Sequence, residues 1–186
     1  MSLPHRRLPH CYAVGEPLFV TYRLYGSLPT GRVFPVGQQS SGESFVRMDR
    51  LLDEARSGPA YLRMPAIAEV VADSIGKGAA CDYQLHAWVV MPNHVHLLIT
   101  PQVDVPALLQ RLKGTSARHG NKLLGQTGRP FWQDESYDRL VRSANEFRRI
   151  ESYILNNPMR AGLARSPEEY PWSSVSRVGG LKASAD

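Results

Sequence analysis

The stretch at residues 82–100, DYQLHAWVVMPNHVHLLIT, determines how the rest of the chain is interpreted. Two runs rich in β-branched, aromatic and aliphatic residues, 82–90 and 94–100, are separated only by residues 91–93, Met-Pro-Asn. Such composition favours strands, and Pro and Asn are typical turn residues. The stretch therefore predicts a β-hairpin whose second strand is strongly apolar.

Two histidines interrupt this apolar second strand. Side chains two residues apart project from the same face of a strand, with Cα atoms roughly 7 Å apart. His94 and His96 therefore point together, whereas Val95, Leu97 and Ile99 point the other way. Two convergent imidazoles can bind one metal ion. The pair by itself leaves open the alternative of hydrogen-bonded core histidines.

Upstream of the hairpin, the sequence predicts a strand, a long loop and two helices. Residues 17–25, PLFVTYRLY, alternate in the manner of a strand. Residues 26–44 are dense in Gly, Pro and Ser, which indicates a long loop. Two segments with helical apolar spacing follow. Their apolar stripes are Phe45, Met48, Leu51 and Leu52, and then Ile67, Val70, Val71 and Ile75.

Downstream, the sequence predicts a helix, a short strand and a last helix. Asp104 can cap the first of these helices, with Pro106 in its first turn. Residues 136–141 favour a strand. Ser143 and Glu146 form the Ser-x-x-Glu pattern of a capping box, and Pro158 is expected to end or bend the helix that follows.

The order of these elements is βαββαβ with an added C-terminal helix. We therefore expect an α+β fold, a ferredoxin-like antiparallel sheet with both crossover helices on one face. The strand that carries the histidines is then central. Residues 1–186 are expected to form a single domain, with the long loop at about 26–44 and a frayed tail from about 177.

The last helix places two polar side chains beside its apolar stripe. Phe147, Ile150 and Ile154 form that stripe, whereas Tyr153 and Asn157, four residues apart, share one flank. A helix that covers the histidine face of the sheet would aim this flank at the imidazoles. Asn156 projects away from the stripe and is the poorer candidate. Core packing of the tyrosine is the alternative.

Positive charge is concentrated downstream of the hairpin. The chain has 22 Lys and Arg against 17 Asp and Glu, a formal net charge of +5, and residues 106–133 contain no acidic residue. This segment indicates a phosphate-binding surface, with a solvated helix face as the alternative. Its candidate DNA-binding residues are Arg111, Lys113, Arg118 and Lys122.

Composition also bears on the compartment. Cys11 and Cys81 are far apart and fit neither a zinc site nor a disulfide framework. The sequence has no apolar run long enough for a membrane span and no apolar segment typical of a secretory signal. We therefore expect no membrane association and a cytoplasmic protein.

Four blocks carry a resemblance to a known family: HAWVVMPNHVHLLIT, LKGTSARHGNK, FWQDESYDRLVR and YILNNPMRAGL. They resemble the REP-associated tyrosine transposases, relatives of insertion-sequence transposases in the single-tyrosine HUH class, and residues 5–175 are covered. The resemblance implies that His94 and His96 hold a divalent metal, Mg²⁺ or Mn²⁺. It implies Tyr153 as the nucleophile that attacks DNA, and Asn157 as a third metal ligand.

The resemblance thus implies a metal-dependent endonuclease and strand transferase that acts on single-stranded DNA at repeated palindromic hairpins. Tyr153 would form a 5′-phosphotyrosine intermediate, and the protein would be a nucleoid-associated monomer or homodimer. Two other functions remain open. One is a catalytically quiet protein that binds repeated palindromic DNA, and the other is a metal-dependent nuclease in which water attacks instead of the tyrosine.

Overall fold

The computed structural model describes residues 14–28, 41–54 and 58–177. Within these ranges the chain forms four strands, β1 (Leu18–Arg23), β2 (Tyr83–Val90), β3 (His94–Pro101) and β4 (Tyr137–Leu140). It also forms five α-helices, α1 (Ser41–Glu54), α2 (Pro65–Ala79), α3 (Val105–Leu123), α4 (Ala144–Arg160) and α5 (Ser174–Arg177). Short 3-10 helices occur at Tyr61–Arg63 and Pro167–Glu169. The predicted tail from 178 onward lies outside the described residues, as does most of the predicted loop.

The four strands form one antiparallel sheet in the order β2-β3-β1-β4. The fold is therefore α+β, as predicted from the sequence. The predicted hairpin is present as β2 and β3, which pair from Tyr83 opposite Pro101 to Val90 opposite Val95. The histidine strand β3 lies in the interior of the sheet, between β2 and β1, as expected.

One face of the sheet is covered by α2 and α3. Alternate residues of β3, Val95, Leu97 and Ile99, are fully buried in the hydrophobic cluster on this face. The predicted stripe residues of α2, Ile67, Val71 and Ile75, are part of the same cluster, together with Leu108 and Leu112 of α3. The interpretation of the apolar side of β3 as an anchor against the crossover helices is confirmed.

The opposite face carries the histidines and is covered by α1 and α4. A second hydrophobic cluster there joins Phe19 of β1, Phe45 of α1, and Ile154 of α4. Helix α1 lies on the face opposite to the crossover helices α2 and α3. Phe45 and the buried Leu52 are on its inner side, so the predicted stripe is real but packs on the histidine face.

One predicted element boundary was wrong. Helix α1 already begins at Ser41, inside the stretch at 26–44 that was predicted as loop, because Gly and Ser near a helix start do not prevent helix formation. Pro158 lies inside α4, which continues to Arg160. The helix therefore does not end at the proline, and a bend there, the other predicted effect, stays a prediction.

The caps predicted for α3 and α4 are present. Asp104 accepts a hydrogen bond from the backbone N–H of Ala107 (3.1 Å) at the start of α3. Ser143 Oγ accepts from the N–H of Glu146 (3.1 Å), and the Glu146 carboxylate accepts from the N–H of Arg142 (3.0 Å). The two hydrogen bonds of this capping box fix the point at which α4 starts, and therefore which of its residues face the sheet.

Candidate metal centre and tyrosine site

The two histidines of β3 converge on one point under α1 and α4. Both side chains are fully buried, and their Nε2 atoms are 3.1 Å apart. On the neighbouring strand, Thr21 lies opposite His96 and Arg23 lies opposite His94. The predicted common orientation of the two imidazoles is therefore observed.

The other ring nitrogens are held by hydrogen bonds to side chains. Nδ1 of His94 is 2.7 Å from Oδ1 of Asn93, whose Nδ2 donates to the Leu52 carbonyl (3.0 Å). Since the Asn93 oxygen can only accept, Nδ1 of His94 carries the proton and Nε2 has a free lone pair. Nδ1 of His96 is likewise 2.7 Å from Thr21 Oγ1. This arrangement is typical of metal-binding histidines, which are oriented through the second nitrogen.

A third potential ligand comes from α1. Oδ1 of the buried Asp49 is 3.0 Å from Nε2 of His96 and 3.6 Å from Nε2 of His94. Potential ligand atoms of the three residues lie within 4.8 Å of one another, so the group could bind a metal ion. The sequence analysis missed Asp49. Its signal was the spacing, because Asp49 lies four residues after Phe45 and three before Leu52, on the inner side of the helix.

Asp53, one turn further along α1, faces the same cluster. Its Oδ1 is 3.9 Å from Nε2 of His94, and its side chain is 13% exposed. Burial, followed by the repulsion of Asp49, raises the pKa of Asp53 to about 7. The sequence analysis missed this residue as well.

Opposing electrostatic effects act on Asp49, and burial dominates at His94. Burial alone would raise the pKa of Asp49, but the imidazoles of His96 and His94 and the Arg160 guanidinium hold it below its ordinary value. Burial is the main cause that lowers the pKa of His94 to about 3, and the neighbouring His96 is the second cause. His94 is therefore neutral and Asp49 ionised at neutral pH, the protonation states that metal ligation requires.

Tyr153 lies on α4 directly beside this group. Its ring centroid is 5.7 Å from that of His96, 6.1 Å from Phe45 and 6.3 Å from Phe19. The tyrosine and both histidines are therefore on the same side of the sheet. The aromatic neighbours pack against the ring and limit its movement.

Asn157 follows one turn after Tyr153 and is fully buried. Neither its Oδ1 nor its Nδ2 has a hydrogen-bond partner among the described residues. Asn156, in contrast, donates to the Ser152 carbonyl (2.7 Å) in an exposed position. The predicted difference between the two asparagines, one toward the sheet and one away, is observed.

Arg160, at the end of α4, was not singled out from the sequence. Its Cζ atom lies 4.8 Å from the centroid of the Tyr153 ring, a cation–π arrangement. The same charge opposes the effect of burial on the carboxyl groups of Asp49 and Asp53, favouring their ionised forms. A positive charge is therefore present where the tyrosine meets the acidic residues of α1.

The four basic residues predicted to bind DNA lie on α3, away from this cluster, and differ in their environment. Arg111 forms an ion pair with Asp82 (3.0 Å). Lys113 donates to the carbonyls of Gln133 (2.7 Å) and Asp134 (2.8 Å). Arg118 and Lys122 are exposed, and the described part of the chain offers neither a partner. Arg111 and Lys113 are thus engaged within the protein, and only Arg118 and Lys122 of the four predicted residues are exposed without such contacts to described residues.

The polar atoms around the histidines fit a cation. Buried Oδ1 atoms of Asp49 and Asp53 and the Asn157 amide lack hydrogen-bond partners among the described residues, which is costly for buried polar groups. Oδ1 of Asp49 lies 3.0 Å from Nε2 of His96, close enough for both atoms to contact one bound cation. The imidazole, carboxylate and amide groups each have a free lone pair, and together they form a suitable set of ligands for a divalent ion.

Comparison with known proteins adds an independent result. Residues 67–157 match the model of the family described as "Transposase IS200 like". The matched segment runs from α2 to α4. It contains both histidines of β3 as well as Tyr153 and Asn157, whereas α1 with its two aspartates precedes it.

Two curated relatives agree with this match. The chain is 24% identical over 97 residues to the REP-associated tyrosine transposase of Escherichia coli, covering 51% of this chain and 56% of that protein. It is 39% identical over 71 residues to the ISDra2 transposase TnpA of Deinococcus radiodurans, covering 35% of this chain and 51% of that protein. The chain thus spans about half the length of the curated relatives it matches.

A solved structure extends the similarity to the whole fold. The structure of a REP-associated tyrosine transposase bound to a REP hairpin matches with a TM-score of 0.59 at 16% identity, covering 95% of this chain and 87% of that one. No helix in the described part of this chain has the length and apolarity to span a membrane. Residues 67–157, slightly less than half of the chain, are therefore similar to the IS200-like transposases, and the solved structure shows a similar overall fold.

Proposed function

We propose that this protein is a metal-dependent single-stranded DNA endonuclease and strand transferase with Tyr153 as its nucleophile. The observation that carries the proposal is the proximity of Tyr153 to the buried histidine pair, with ring centroids of Tyr153 and His96 5.7 Å apart. A tyrosine next to a potential metal site, within a segment that matches the family described as "Transposase IS200 like", supports covalent phosphotyrosine chemistry rather than packing alone.

His94, His96 and Asn157 are the proposed metal ligands, and Asp49 joins them because of its distances to both Nε2 atoms. Mg²⁺ or Mn²⁺ suits a site with carboxylate and amide oxygens, and the two imidazoles favour Mn²⁺ in vitro. When bound, such an ion supplies charge neutralisation and orientation of a phosphodiester.

The protein's own contribution to the reaction is a positioned phenol. A phenol with a pKa of about 10 is a weak nucleophile at neutral pH, so position and nearby positive charge matter. Attack by the Tyr153 oxygen forms a bond to phosphorus and breaks the bond to the 3′ oxygen. The products are a 5′-phosphotyrosine and a 3′-OH, and the proton lost by the phenol balances the one gained by the 3′ oxygen. A later 3′-OH can reverse the step on another DNA end, which makes the enzyme a strand transferase.

The proposed substrate is single-stranded DNA next to a palindromic hairpin. A structural relative is described as bound to a REP hairpin, and exposed Arg118 and Lys122 on α3 could contact phosphates. The strand order, with α2 and α3 on one face, supports the ferredoxin-like assignment of the fold. Because Tyr153 reaches the histidines of its own chain, a monomer could react, and a homodimer that exchanges α4 is the alternative. A cytoplasmic, nucleoid-associated location accords with this substrate.

The test is formation of a covalent protein–DNA adduct. The wild-type chain is incubated with Mn²⁺ and end-labelled single-stranded oligonucleotides that carry the repeated palindromes of the host genome, then separated under denaturing conditions. We expect an adduct that is lost in Tyr153→Phe and in EDTA. Tyr25→Phe, at an exposed tyrosine, is the matched control and should form the adduct normally.

The other outcomes identify the alternatives. Cleavage that persists in Tyr153→Phe would mean that water attacks, as in a metal-dependent nuclease. Specific binding of the palindromes by the wild-type chain without cleavage would indicate a catalytically quiet DNA-binding protein. Either result would overturn the proposed strand transferase.

A further inference from the structure

The histidine pair faces two carboxylates that a single turn of α1 presents together. Asp49 and Asp53 are four residues apart, which places them on the same side of the helix. Oδ1 of Asp49 lies 3.0 Å from Nε2 of His96, and Oδ1 of Asp53 lies 3.9 Å from Nε2 of His94. Asp49 Oδ1 is also 3.6 Å from Nε2 of His94, so Asp49 lies between the two imidazoles and both carboxylates of α1 flank His94.

This arrangement is unfavourable without a cation. Both Oδ1 atoms are buried and lack hydrogen-bond partners among the described residues, and Asn157 contributes two more unpartnered polar atoms from α4. Two close carboxylates repel each other, and burial removes the water that would solvate them. Buried polar groups of native proteins usually have partners. A cation that accepts lone pairs from side chains of α1, β3 and α4 would provide a partner for all of these unpartnered oxygen atoms.

Among the described residues, the imidazoles and Arg160 act favourably on the two carboxylates, but neither Oδ1 atom gains a hydrogen bond from them. Arg160 lies over the Tyr153 ring and is exposed, and among described residues it forms no ion pair with either aspartate. The Nε2 atoms of the two imidazoles are 3.1 Å apart, and the His94 imidazole is neutral, so it adds no positive charge. The packing of Phe45 and Leu52 nevertheless holds α1 against this face of the sheet.

We infer that α1 forms the acidic half of the metal site, with Asp53 as a second carboxylate ligand beside Asp49. The inference rests on the metal site of the proposed function, but not on DNA cleavage. Two carboxylates convert a site of imidazoles and an amide into one suited to hard divalent ions such as Mn²⁺ and Mg²⁺. An ion held by residues of both elements would also join α1 to β3. The packing of α1 on the sheet would then be coupled to metal binding.

The test measures Mn²⁺ binding without DNA. The free Mn²⁺ signal is followed by electron paramagnetic resonance during titration of the full chain, for the wild type, Asp53→Asn and the control Glu54→Gln. The control removes the same charge from the adjacent residue, which pairs with Arg50 instead. We expect Asp53→Asn to weaken Mn²⁺ binding by about tenfold or more, and Glu54→Gln to stay within about twofold.

A second measurement separates a ligand from a structural residue. Replacing one of two repelling carboxylates removes their repulsion in the metal-free protein, so Asp53→Asn should raise Tm in EDTA. The same variant should show a smaller increase of Tm on addition of Mn²⁺ than the wild type. Hydrogen exchange of residues 41–54 should slow with Mn²⁺ in the wild type and respond much less in Asp53→Asn.

Three results decide the matter. Wild-type Mn²⁺ affinity in Asp53→Asn would overturn the inference and leave the proposed function intact. A lower Tm of Asp53→Asn in EDTA with an unchanged response to Mn²⁺ would make Asp53 a structural residue and would also overturn it. Absence of Mn²⁺ binding by the folded wild-type chain would overturn both the inference and the metal site of the proposed function.

Discussion

Tyr153 on α4 and His96 on β3 meet on one face of the sheet with ring centroids 5.7 Å apart, although they are 57 positions apart in the sequence. The register of β3 directs His96 to this face, and the Ser143 cap sets which side of α4 carries Tyr153. The relationship therefore depends on the start of one helix and the pairing of one strand.

The first prediction concerns the positive charge beside Tyr153. Arg160 lies with its guanidinium 4.8 Å from the tyrosine ring centroid, where it can stabilise negative charge that develops on the phenol and phosphate. We expect Arg160→Gln to slow single-turnover adduct formation on the order of 100-fold, a magnitude typical of removing one such donor. Arg160→Lys should recover part of the rate because it keeps the charge but not the planar group.

Arg149→Gln is the control for this prediction. Arg149 is exposed on the same helix, and its replacement changes the net charge equally. A similar loss of rate in both variants would show that long-range charge is responsible, and would contradict a local role of Arg160.

The second prediction tests the cap of α4. Ser143→Ala removes the acceptor for the Glu146 N–H and should lower the free energy of unfolding by about 1 kcal/mol, measured by urea denaturation. Adduct formation by the folded fraction should stay near the wild-type rate. Ser152→Ala provides a comparison, because Ser152 is an exposed serine in the interior of the same helix and alanine is at least as favourable there. Equal stability of Ser143→Ala and the wild type would argue against the cap.

Strand alternation explains why part of the site was predictable. In β3, the period of two separates the histidines from Val95 and Leu97 whatever the tertiary structure is. The period of α4 likewise separates Asn157 from Asn156. Local geometry therefore fixes which side chains can act together within one element.

The acidic half of the site was not predictable in the same way. The sequence indicated α1 through Phe45 and Leu52, and periodicity would have placed Asp49 on the same side. It could not reveal on which face of the sheet α1 packs, because that depends on the chain between β1 and α1 and on tertiary contacts. Aspartates in an amphipathic helix ordinarily indicate its solvated flank, and only the buried position next to His96 changes this interpretation.

The third prediction separates two kinds of basic residue on α3. Arg118 and Lys122 are exposed without a partner in the described part of the chain. If each contacts one phosphate, Arg118→Gln with Lys122→Gln should weaken hairpin binding and reduce the slope of log K against log salt by about two. Fluorescence anisotropy at several salt concentrations measures this. Lys77→Gln, at an exposed position on α2, should leave the slope unchanged.

Lys113 should behave differently from these two residues. Its Nζ already donates to the carbonyls of Gln133 and Asp134, which tie the segment before β4 to α3. Lys113→Met should therefore lower the free energy of unfolding by about 1–3 kcal/mol, with the salt slope of DNA binding little changed. A reduced slope at full stability would instead assign Lys113 to the DNA contact.

The fourth prediction uses the unpartnered amide of Asn157. Because neither of its polar atoms has a hydrogen bond among the described residues, Asn157→Leu should not lower the stability of the protein in EDTA by more than about 1 kcal/mol. The same variant should weaken Mn²⁺ binding about 10- to 100-fold if the amide is a ligand or orients one. Urea denaturation and Mn²⁺ titration measure the two effects separately.

Asn121 provides the matched control, since it is a buried asparagine whose amide is fully engaged. It donates to the Arg129 carbonyl (2.7 Å) and accepts from Gln126 (3.1 Å). Asn121→Leu should cost about 1–3 kcal/mol in EDTA because it removes a buried amide from two hydrogen bonds, including the one to the Arg129 carbonyl, and it should leave Mn²⁺ affinity unchanged. If Asn157→Leu destabilised the metal-free chain as much as Asn121→Leu, the Asn157 amide would be a structural group, and its assignment to the metal site would have to be abandoned.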